Sequence, residues 1–410
     1  MPLSRRLLQP LLSRALIHSR LRFLLHKRHE WLRQLRKRPH RVVVWLQTSD
    51  PYSYILVQAL PRLTEHFAVE LSFRILPYHE PDHTFSHHLR DAWYLAQFHQ
   101  LSFQDFQAPT EDNCLLASQL LLGNLGLPGA DFLTLAKQVF QCLWEHQYHK
   151  LATLALRFPL LPATTAHQKM EKAGKRFSAS DQQRPAQLQY QGEWYWCLDD
   201  IDDLADALSA AGVNRCHHRF AISSEQGYLD NDYLITDWEQ LATIRAQKYA
   251  LDYYFSFNDP LSYLCLPSTL ALAEHYQLRL TLKPVLTDPV DDPVFDPGWY
   301  ARLQRLTRLA QRHDIDFGKI CLASEAGLQA CLALMASAAK QGRLPEMTLA
   351  LLRAIWADGL DVGYIPHLKQ IIAEADCTVA DLKKLIKSHE WLPQSEQYTV
   401  EWSHLDVPGL

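Results

Sequence analysis

The segment RVVVWLQTSDPYSYILVQALPRLTEHFAVELSFRIL, which begins at Arg41, decides the fold because it recurs later in the chain. The second copy, YALDYYFSFNDPLSYLCLPSTLALAEHYQLRLTLKPVL, begins at Tyr249. With Asp50 aligned on Asp259 and no gap, identical residues include Pro51 with Pro260, Ser53 with Ser262, Tyr54 with Tyr263, Leu63 with Leu272, Glu65 with Glu274 and His66 with His275. This similarity predicts a tandem duplication.

Each copy has the pattern of a strand, a helix and a second strand. A β-rich apolar run, residues 42–46 or 251–257, precedes an Asp-Pro turn and an amphipathic segment. Alternating apolar residues follow in both copies. A helix between two short strands implies a parallel pair with the helix on one face. We therefore expect an α/β fold with two related domains.

The rest of the chain sets the expected domain boundaries. A helical head over 1–40 precedes the first domain, 41–212, which carries an all-helical insertion over about 85–175. That domain closes with a hairpin around Gln191-Gly192 and a helix lined by Ile201, Leu204 and Leu208. A polar linker over 213–248 leads to the second domain, 249–410, with a helical insertion over about 295–390. No second hairpin follows, so the second domain lacks its closing ββα unit.

Charge is divided unevenly along the chain. Residues 1–41 contain twelve of the 41 Lys and Arg but one acidic residue, Glu30. The leucine spacing in this head predicts a basic amphipathic helix or pair, without an apolar run long enough for a membrane span. Peripheral contact with a membrane or a protein through residues 1–41 is one expectation, and packing on the acidic remainder is the other. We expect no nucleic-acid partner, because the acidic remainder opposes one.

The cysteines and histidines indicate neither redox pairs nor a metal centre. None of the eight cysteines forms a CxxC pair, and most lie in apolar surroundings, which favours buried thiols. We expect no signal peptide, which favours a cytoplasmic location. His79, His83 and His87, with His88 and Asp91 beside them, follow a spacing of four as in some helical metal sites, but Pro81 interrupts the helical turn. We expect no metal.

Motifs in both halves carry a family resemblance. They are DPYSY from Asp50, QRPAQL with Pro185 and GEWYWCLDD from Gly192, then DPLSY from Asp259, RHDIDFGKI from Arg312 and AIWADGLDVG from Ala354. With their order of elements, these halves resemble the thioredoxin-fold group of the disulfide oxidoreductase DsbA, the kappa-class glutathione transferases and 2-hydroxychromene-2-carboxylate isomerase. The resemblance implies two thioredoxin-like domains and places Pro185 at the family's cis-proline.

The two halves depart from this family at its reactive position. DsbA-like members have a cysteine there, and the transferase and isomerase members have a serine that donates a hydrogen bond to the glutathione thiolate. This chain has Asp50 and Asp259 instead, and Asp199-Asp200 where the family commonly has Asp-Arg. An ionised carboxylate accepts hydrogen bonds and repels a thiolate. Asp before Pro is also a favourable helix start, which explains both aspartates without catalysis, the alternative being a carboxylate that acts as a base.

The resemblance implies a thiol- or glutathione-linked oxidoreductase or isomerase, here with a degenerate site. Its catalytic candidates are Asp50 and Asp259, with glutathione as the implied cofactor and a small molecule or thiol as substrate. The implied substrate- or glutathione-binding residues are Ser53, Tyr54, Pro185, Ser262 and Tyr263. The alternative is a non-catalytic binding or scaffold protein that uses the paired folds as an interface.

Overall fold

The protein is described by a computed structural model that covers residues 3–17, 19–104, 106–180, 184–218, 220–222, 234–286, 297–389 and 391–405. The chain divides into two compact units. The first unit is residues 23–226, and the second unit is residues 1–22 with 227–410. Part of the predicted linker, 223–233, lies outside the described residues.

In each half a strand, a helix and a second strand are followed by a run of helices. The helices are α1 Leu3–Ile17, α2 Ser19–Leu35, α3 Pro51–His66, α4 Phe85–Phe98, α5 Glu111–Gly123, α6 Gly129–Trp144, α7 Tyr148–Arg157, α8 Ala163–Ser178, α9 Ile201–Ala210, α10 Trp238–Ala246, α11 Pro260–Tyr276, α12 Pro297–Arg312, α13 Glu325–Lys340, α14 Leu344–Arg353, α15 Ile365–Glu374, α16 Leu382–Lys387 and α17 Leu392–His404. The strands are β1 Arg41–Leu46, β2 Glu70–Ile75, β3 Gln187–Tyr190, β4 Glu193–Trp196, β5 Ala250–Phe255 and β6 Arg279–Pro284. A π-helical turn, Ala354–Asp358, extends α14.

The first unit contains a four-stranded sheet in the order β2-β1-β3-β4. Strands β1 and β2 are parallel, whereas β3 is antiparallel to both β1 and β4. Gln191 and Gly192, with φ of 49° and 88°, make the turn of the β3–β4 hairpin. Two left-handed residues are what a tight hairpin of this twist requires. The predicted parallel pair and closing hairpin are both confirmed.

The second unit repeats the first half of this plan. Strands β5 and β6 are parallel, and their register runs from Ala250 opposite Arg279 to Phe255 opposite Pro284. Within the described part of this unit, β5 and β6 are the only strands. The prediction that this half lacks a hairpin holds for those residues.

One face of each sheet packs against the helix that joins its parallel strands. In β1 the alternate residues Val42, Val44 and Leu46 have no exposed surface, and they share a core with fully buried Leu56 and Leu60 of α3. Burial of a side chain of this size stabilises the fold by about 1.5–3 kcal/mol. This packing fixes the start of α3 at the carboxyl end of β1.

The opposite faces are covered by different chemistry. In the first unit Phe177 of α8 lies on Trp45 of β1, with ring centroids 5.5 Å apart, and contacts Trp194 of β4 at 6.0 Å. In the second unit Lys283 of β6 forms an ion pair of 2.8 Å with Glu401 of α17. Coverage is therefore apolar in the first unit and largely polar in the second.

The basic head forms two helices, as one of the sequence expectations has it. Among the α1 side chains that the structure describes, Gln9, Ser13 and Ile17 are buried, while Leu8 and Leu11 are 52% and 66% exposed. Ser13 Oγ accepts a hydrogen bond of 3.0 Å from the backbone N–H of Ile320. Across the described residues, no helix has both the length and the apolar character that crossing a bilayer requires.

Candidate active site at two helix N-termini

Asp50 begins α3 as its N-cap residue. Its backbone is extended, with φ −99° and ψ 123°, and Pro51 occupies the first helical turn. Asp50 Oδ2 accepts hydrogen bonds from Ser53 N at 2.7 Å and from Ser53 Oγ at 2.6 Å. Ser53 Oγ in turn accepts a hydrogen bond of 3.0 Å from Gln47 N. The carboxylate therefore satisfies the Ser53 N–H, one of the free N–H groups in the first turn of its own helix.

Asp259 repeats this arrangement at the start of α11. Asp259 Oδ2 accepts from Ser262 N and from Ser262 Oγ, both at 2.6 Å, and Ser262 Oγ accepts from Ser256 N at 3.1 Å. Each of these bonds has its counterpart in the first unit at the same 209-residue offset that separates Asp50 from Asp259. The helix-capping interpretation of both aspartates therefore has a direct structural basis.

The surroundings of Asp50 make its carboxyl group unusual. Asp50 is 8% exposed. Burial raises the pKa of its carboxyl group from 3.8 to about 6, although the hydrogen bonds from Ser53 and the nearby Arg184 guanidinium act in the opposite direction. A carboxyl group with this pKa exchanges its proton near neutral pH, as an acid–base group requires.

Aromatic and polar side chains from distant parts of the first unit lie beside this helix start. Tyr52 packs on Trp196 of β4, with centroids 5.0 Å apart, and its hydroxyl donates a hydrogen bond of 2.6 Å to Asp91 Oδ2 on α4. Arg184 lies over the Trp196 ring, 5.5 Å from the centroid. Sequence reasoning considered Asp91 only as a candidate metal ligand and did not single out Arg184, because only the hairpin and the insertion bring these two residues to α3.

The thiol of Cys197, close to Tyr52, is unsuited to redox chemistry. Cys197, after β4, is fully buried, and its Sγ lies 3.5 Å from the carbonyl oxygen of Tyr52. Burial raises the pKa of the Cys197 thiol well above its usual range. Since the thiolate is the reactive form, this cysteine is inert. None of the eight cysteines forms a disulfide; six are buried, Cys216 is half-buried and Cys265 is exposed.

The other predicted site residues divide between the helix start and the core. Ser53 and Ser262 bond to the aspartates, whereas Tyr54 stacks on Trp144 in the core. Tyr263 is also buried, and its hydroxyl donates to Asp316 O at 2.9 Å. The ligand-binding roles assigned to these residues stay predictions.

Pro185 precedes β3 next to Arg184, but no peptide bond of the described chain is cis. The expectation of a cis-proline at Pro185 is therefore wrong. The peptide bond that precedes Pro185 is trans, the form that X–Pro bonds intrinsically favour. Asp200, in the position of the family's arginine, accepts a hydrogen bond of 2.8 Å from Trp196 N. That residue holds the end of β4.

Residues that could hold a metal are found elsewhere. His66, Cys216 and His218 bring their ligand atoms within 4.8 Å of one another. The histidines spaced by four, His79, His83 and His87, form no such group in the part of the chain that is described. That alternative is therefore not supported.

Comparisons with known proteins identify one of the two halves. A family model described as a DSBA-like thioredoxin domain matches residues 250–409. The solved structure of a selenomethionine 2-hydroxychromene-2-carboxylate isomerase is similar, with 14% identity and a TM-score of 0.31 over 36% of this chain and 78% of that one. No curated protein matches the chain. Residues 250–409 therefore form a DSBA-like thioredoxin domain, as the resemblance implies.

Proposed function

We propose that this chain is a glutathione-linked protein of the isomerase type within the DSBA-like group, with Asp50 in place of the reactive serine or cysteine. The observation that carries the proposal is the buried Asp50 carboxyl group at the start of α3, with a pKa of about 6. When protonated, this group has an O–H that donates a hydrogen bond, as a serine hydroxyl does. When ionised, it repels a sulfur anion at the same place.

The neighbouring side chains support an anionic ligand at this helix start. The positive end of the α3 dipole and the Arg184 guanidinium both favour negative charge there. Neutral Asp50 and Arg184 would hold the sulfur end and a carboxylate of glutathione respectively. Thiol–disulfide exchange has no support, because Cys197 is buried with a raised thiol pKa.

The test is a titration followed by tryptophan fluorescence, with Trp196 as the reporter beside Tyr52. The ligands are glutathione and glutathione sulfonate, whose sulfur carries a permanent negative charge. Because only the neutral form of Asp50 binds, the sulfonate should bind about 30-fold more weakly at about pH 7.5 than at about pH 5. Asp50→Ser should remove this pH dependence, and the matched variant Asp259→Ser should keep it.

A second candidate is a non-catalytic binding or scaffold protein. The observation that favours it is the repeated capping network, because both aspartates already satisfy their own helix starts. Absence of any fluorescence response at millimolar ligand, in the wild type and in Asp50→Ser at both pH values, would exclude the first function and favour the second.

We also propose that the two halves arose by duplication. The matched pairs of the two βαβ segments share strand register and capping bonds at one constant offset. Both also end β-strand pairing with the same kind of bond, from Leu76 N to Leu46 O and from Val285 N to Phe255 O, each 2.8 Å.

Contact of residues 1–41 with an anionic membrane surface stays a proposal. It is supported by exposed Leu8, Leu11 and Trp31 on helices that carry exposed Arg14 and Lys27. Co-sedimentation with vesicles that contain phosphatidylserine, and not with neutral phosphatidylcholine vesicles, is expected. Loss of binding in the double variant Leu8→Asp, Leu11→Asp would locate the contact in α1. Failure of the wild type to bind either kind of vesicle would refute the proposal.

A further inference from the structure

Three side chains of the first unit converge at the C-terminal end of α3. His66 is the last residue of this helix, and Cys216 and His218 lie in the segment that follows α9. One ring nitrogen from each histidine and the Cys216 sulfur all lie within 4.8 Å of one another. This is the one such cluster of His, Cys, Asp or Glu in the described ranges.

The backbone holds this cluster in place. Phe67 pairs with Asn214 in an isolated antiparallel bridge, and the N–H of Arg215 donates a 2.7 Å hydrogen bond to the carbonyl of His66. The N–H of Ala68 donates to the carbonyl of Val213 at 2.8 Å. The segment is thus fixed to the end of α3 immediately before Cys216. A site whose ligands are positioned in advance costs less ordering entropy when it binds.

The side chains present the donor set of a zinc site. His66 is 6% exposed, Cys216 is half-buried and His218 is exposed, so the cluster opens to solvent on one side. The His66 and His218 rings meet edge to face, with centroids 5.0 Å apart. A thiolate and two imidazoles suit the borderline-soft Zn²⁺ ion, which bonds sulfur at about 2.3 Å and nitrogen at about 2.0–2.1 Å.

The helix end adds a favourable field. The last carbonyl groups of α3 give its C-terminus a partial negative charge, which stabilises a cation there. In tetrahedral coordination the ligand atoms lie about 3.5 Å apart, so the atoms of this cluster have to approach one another by at most about 1.3 Å. The His218 side chain is exposed, so its rotation can bring its ring nitrogen closer to the other two ligand atoms.

We propose that His66, Cys216 and His218 bind one zinc ion, with water in the fourth coordination position. Binding releases the proton of the Cys216 thiol, since the thiolate is the ligand, and both imidazoles bind as neutral donors. The site joins the segment after α9 to the end of α3. This proposal replaces the expectation of no metal. The sequence alone does not show that His66 lies beside residues 150 positions later.

The second unit supplies a matched control. His275 occupies the position of His66 in the aligned copy, but its Nε2 lies 3.0 Å from the carbonyl oxygen of Ile235. No second cluster of ligands accompanies it among the residues described. His275→Ala therefore removes a histidine from the same helical position without touching the proposed site.

The experiment is a titration of the reduced, metal-free full chain with Co²⁺, which reports a sulfur ligand by a thiolate-to-cobalt charge-transfer absorption. We expect one equivalent to produce this band and Zn²⁺ to displace it. Cys216→Ser should abolish the band, and His218→Ala should weaken binding at least about 100-fold, because even outer-shell changes cost 10–100-fold. His275→Ala and Cys265→Ser should leave both the band and the affinity unchanged.

Circular dichroism establishes that each variant is folded, so that a lost band reports the site. A folded wild type without a charge-transfer band, or a band of full strength in Cys216→Ser, would overturn the proposal. Glutathione sulfonate binding plays no part in these readouts, so the zinc site and the proposed function succeed or fail independently.

Discussion

Asp50 and Asp259 have the same hydrogen-bonded frame but different surroundings. Each accepts two hydrogen bonds from the serine three residues later, with donor–acceptor distances of 2.6–2.7 Å. Asp50, however, is 8% exposed, with Tyr52 packed on Trp196 beside it, and burial raises its pKa to about 6. Asp259 is partly exposed at a helix start whose unit has no closing hairpin among its described residues. The comparison teaches that the Asp-Pro-x-Ser segment determines the capping hydrogen bonds. Neighbours from later in the chain determine how deeply the carboxyl group is buried and therefore its pKa.

The largest expected effect concerns the apolar coverage that distinguishes the first unit. Phe177→Ala should leave a cavity between Trp45 and Trp194 and lower the free energy of unfolding by about 3–5 kcal/mol. Chemical denaturation measures the change. Leu156→Ala, at a side chain that is 90% exposed, is the control and should alter stability by less than about 0.5 kcal/mol. An equally small effect of Phe177→Ala would contradict the packing described.

The next effect sharpens the comparison of the two aspartates. The folded-state pKa of Asp50 lies above 3.8, so the neutral form contributes stability that is complete below about pH 4 and lost as the pH rises through about 6. The loss is about 3 kcal/mol at neutral pH. Asp50→Asn should therefore be more stable than the wild type by about this amount at about pH 7.5, and by little at about pH 4. Urea denaturation at the two pH values measures it, and a difference that does not change with pH would refute it.

Removal of the serine hydroxyls tests whether the frames are equivalent. Ser53→Ala leaves the half-buried N–H of Gln47 without its acceptor and removes one donor to Asp50, at a cost of about 1–3 kcal/mol. Ser262→Ala removes the same bonds at Ser256 and Asp259 and should cost a similar amount. Thermal unfolding of both variants compares them, with Ser53→Thr retaining the hydroxyl as the control. A cost in only one of the two units would break the equivalence.

The smallest expected effect has the opposite sign to that of Asp50→Asn. Asp259→Asn keeps an acceptor for the N–H of Ser262 but loses a negative charge at the positive end of α11, which lowers stability by about 0.3–1 kcal/mol at low ionic strength. Added salt should reduce this cost, because it screens a partly exposed charge. Denaturation at about pH 7.5 provides the measurement. Stabilisation by Asp259→Asn as large as that by Asp50→Asn would show that both sites have the same surroundings.

The sequence predicted what local patterns encode. Residues 42–46, the Asp50-Pro51 start and the Gln191-Gly192 turn produced the parallel strands, the helix caps and the hairpin where expected. It could not predict that Arg184 and Asp91 approach α3, or that Cys216 approaches His66. Those proximities depend on the packing of segments that are far apart in the chain, and no local periodicity encodes them. For the same reason the residues around Asp50 in the sequence could not predict its raised pKa.

The most direct test of the account is the proton affinity of Asp50 itself. The chemical shift of its side-chain carboxyl carbon, in protein labelled with carbon-13 aspartate and assigned with Asp50→Asn, reports protonation against pH. We predict a midpoint at about pH 6. A midpoint near the ordinary 3.8 would mean that Asp50 is ionised throughout the working range, and it would contradict the proposed role of its neutral form.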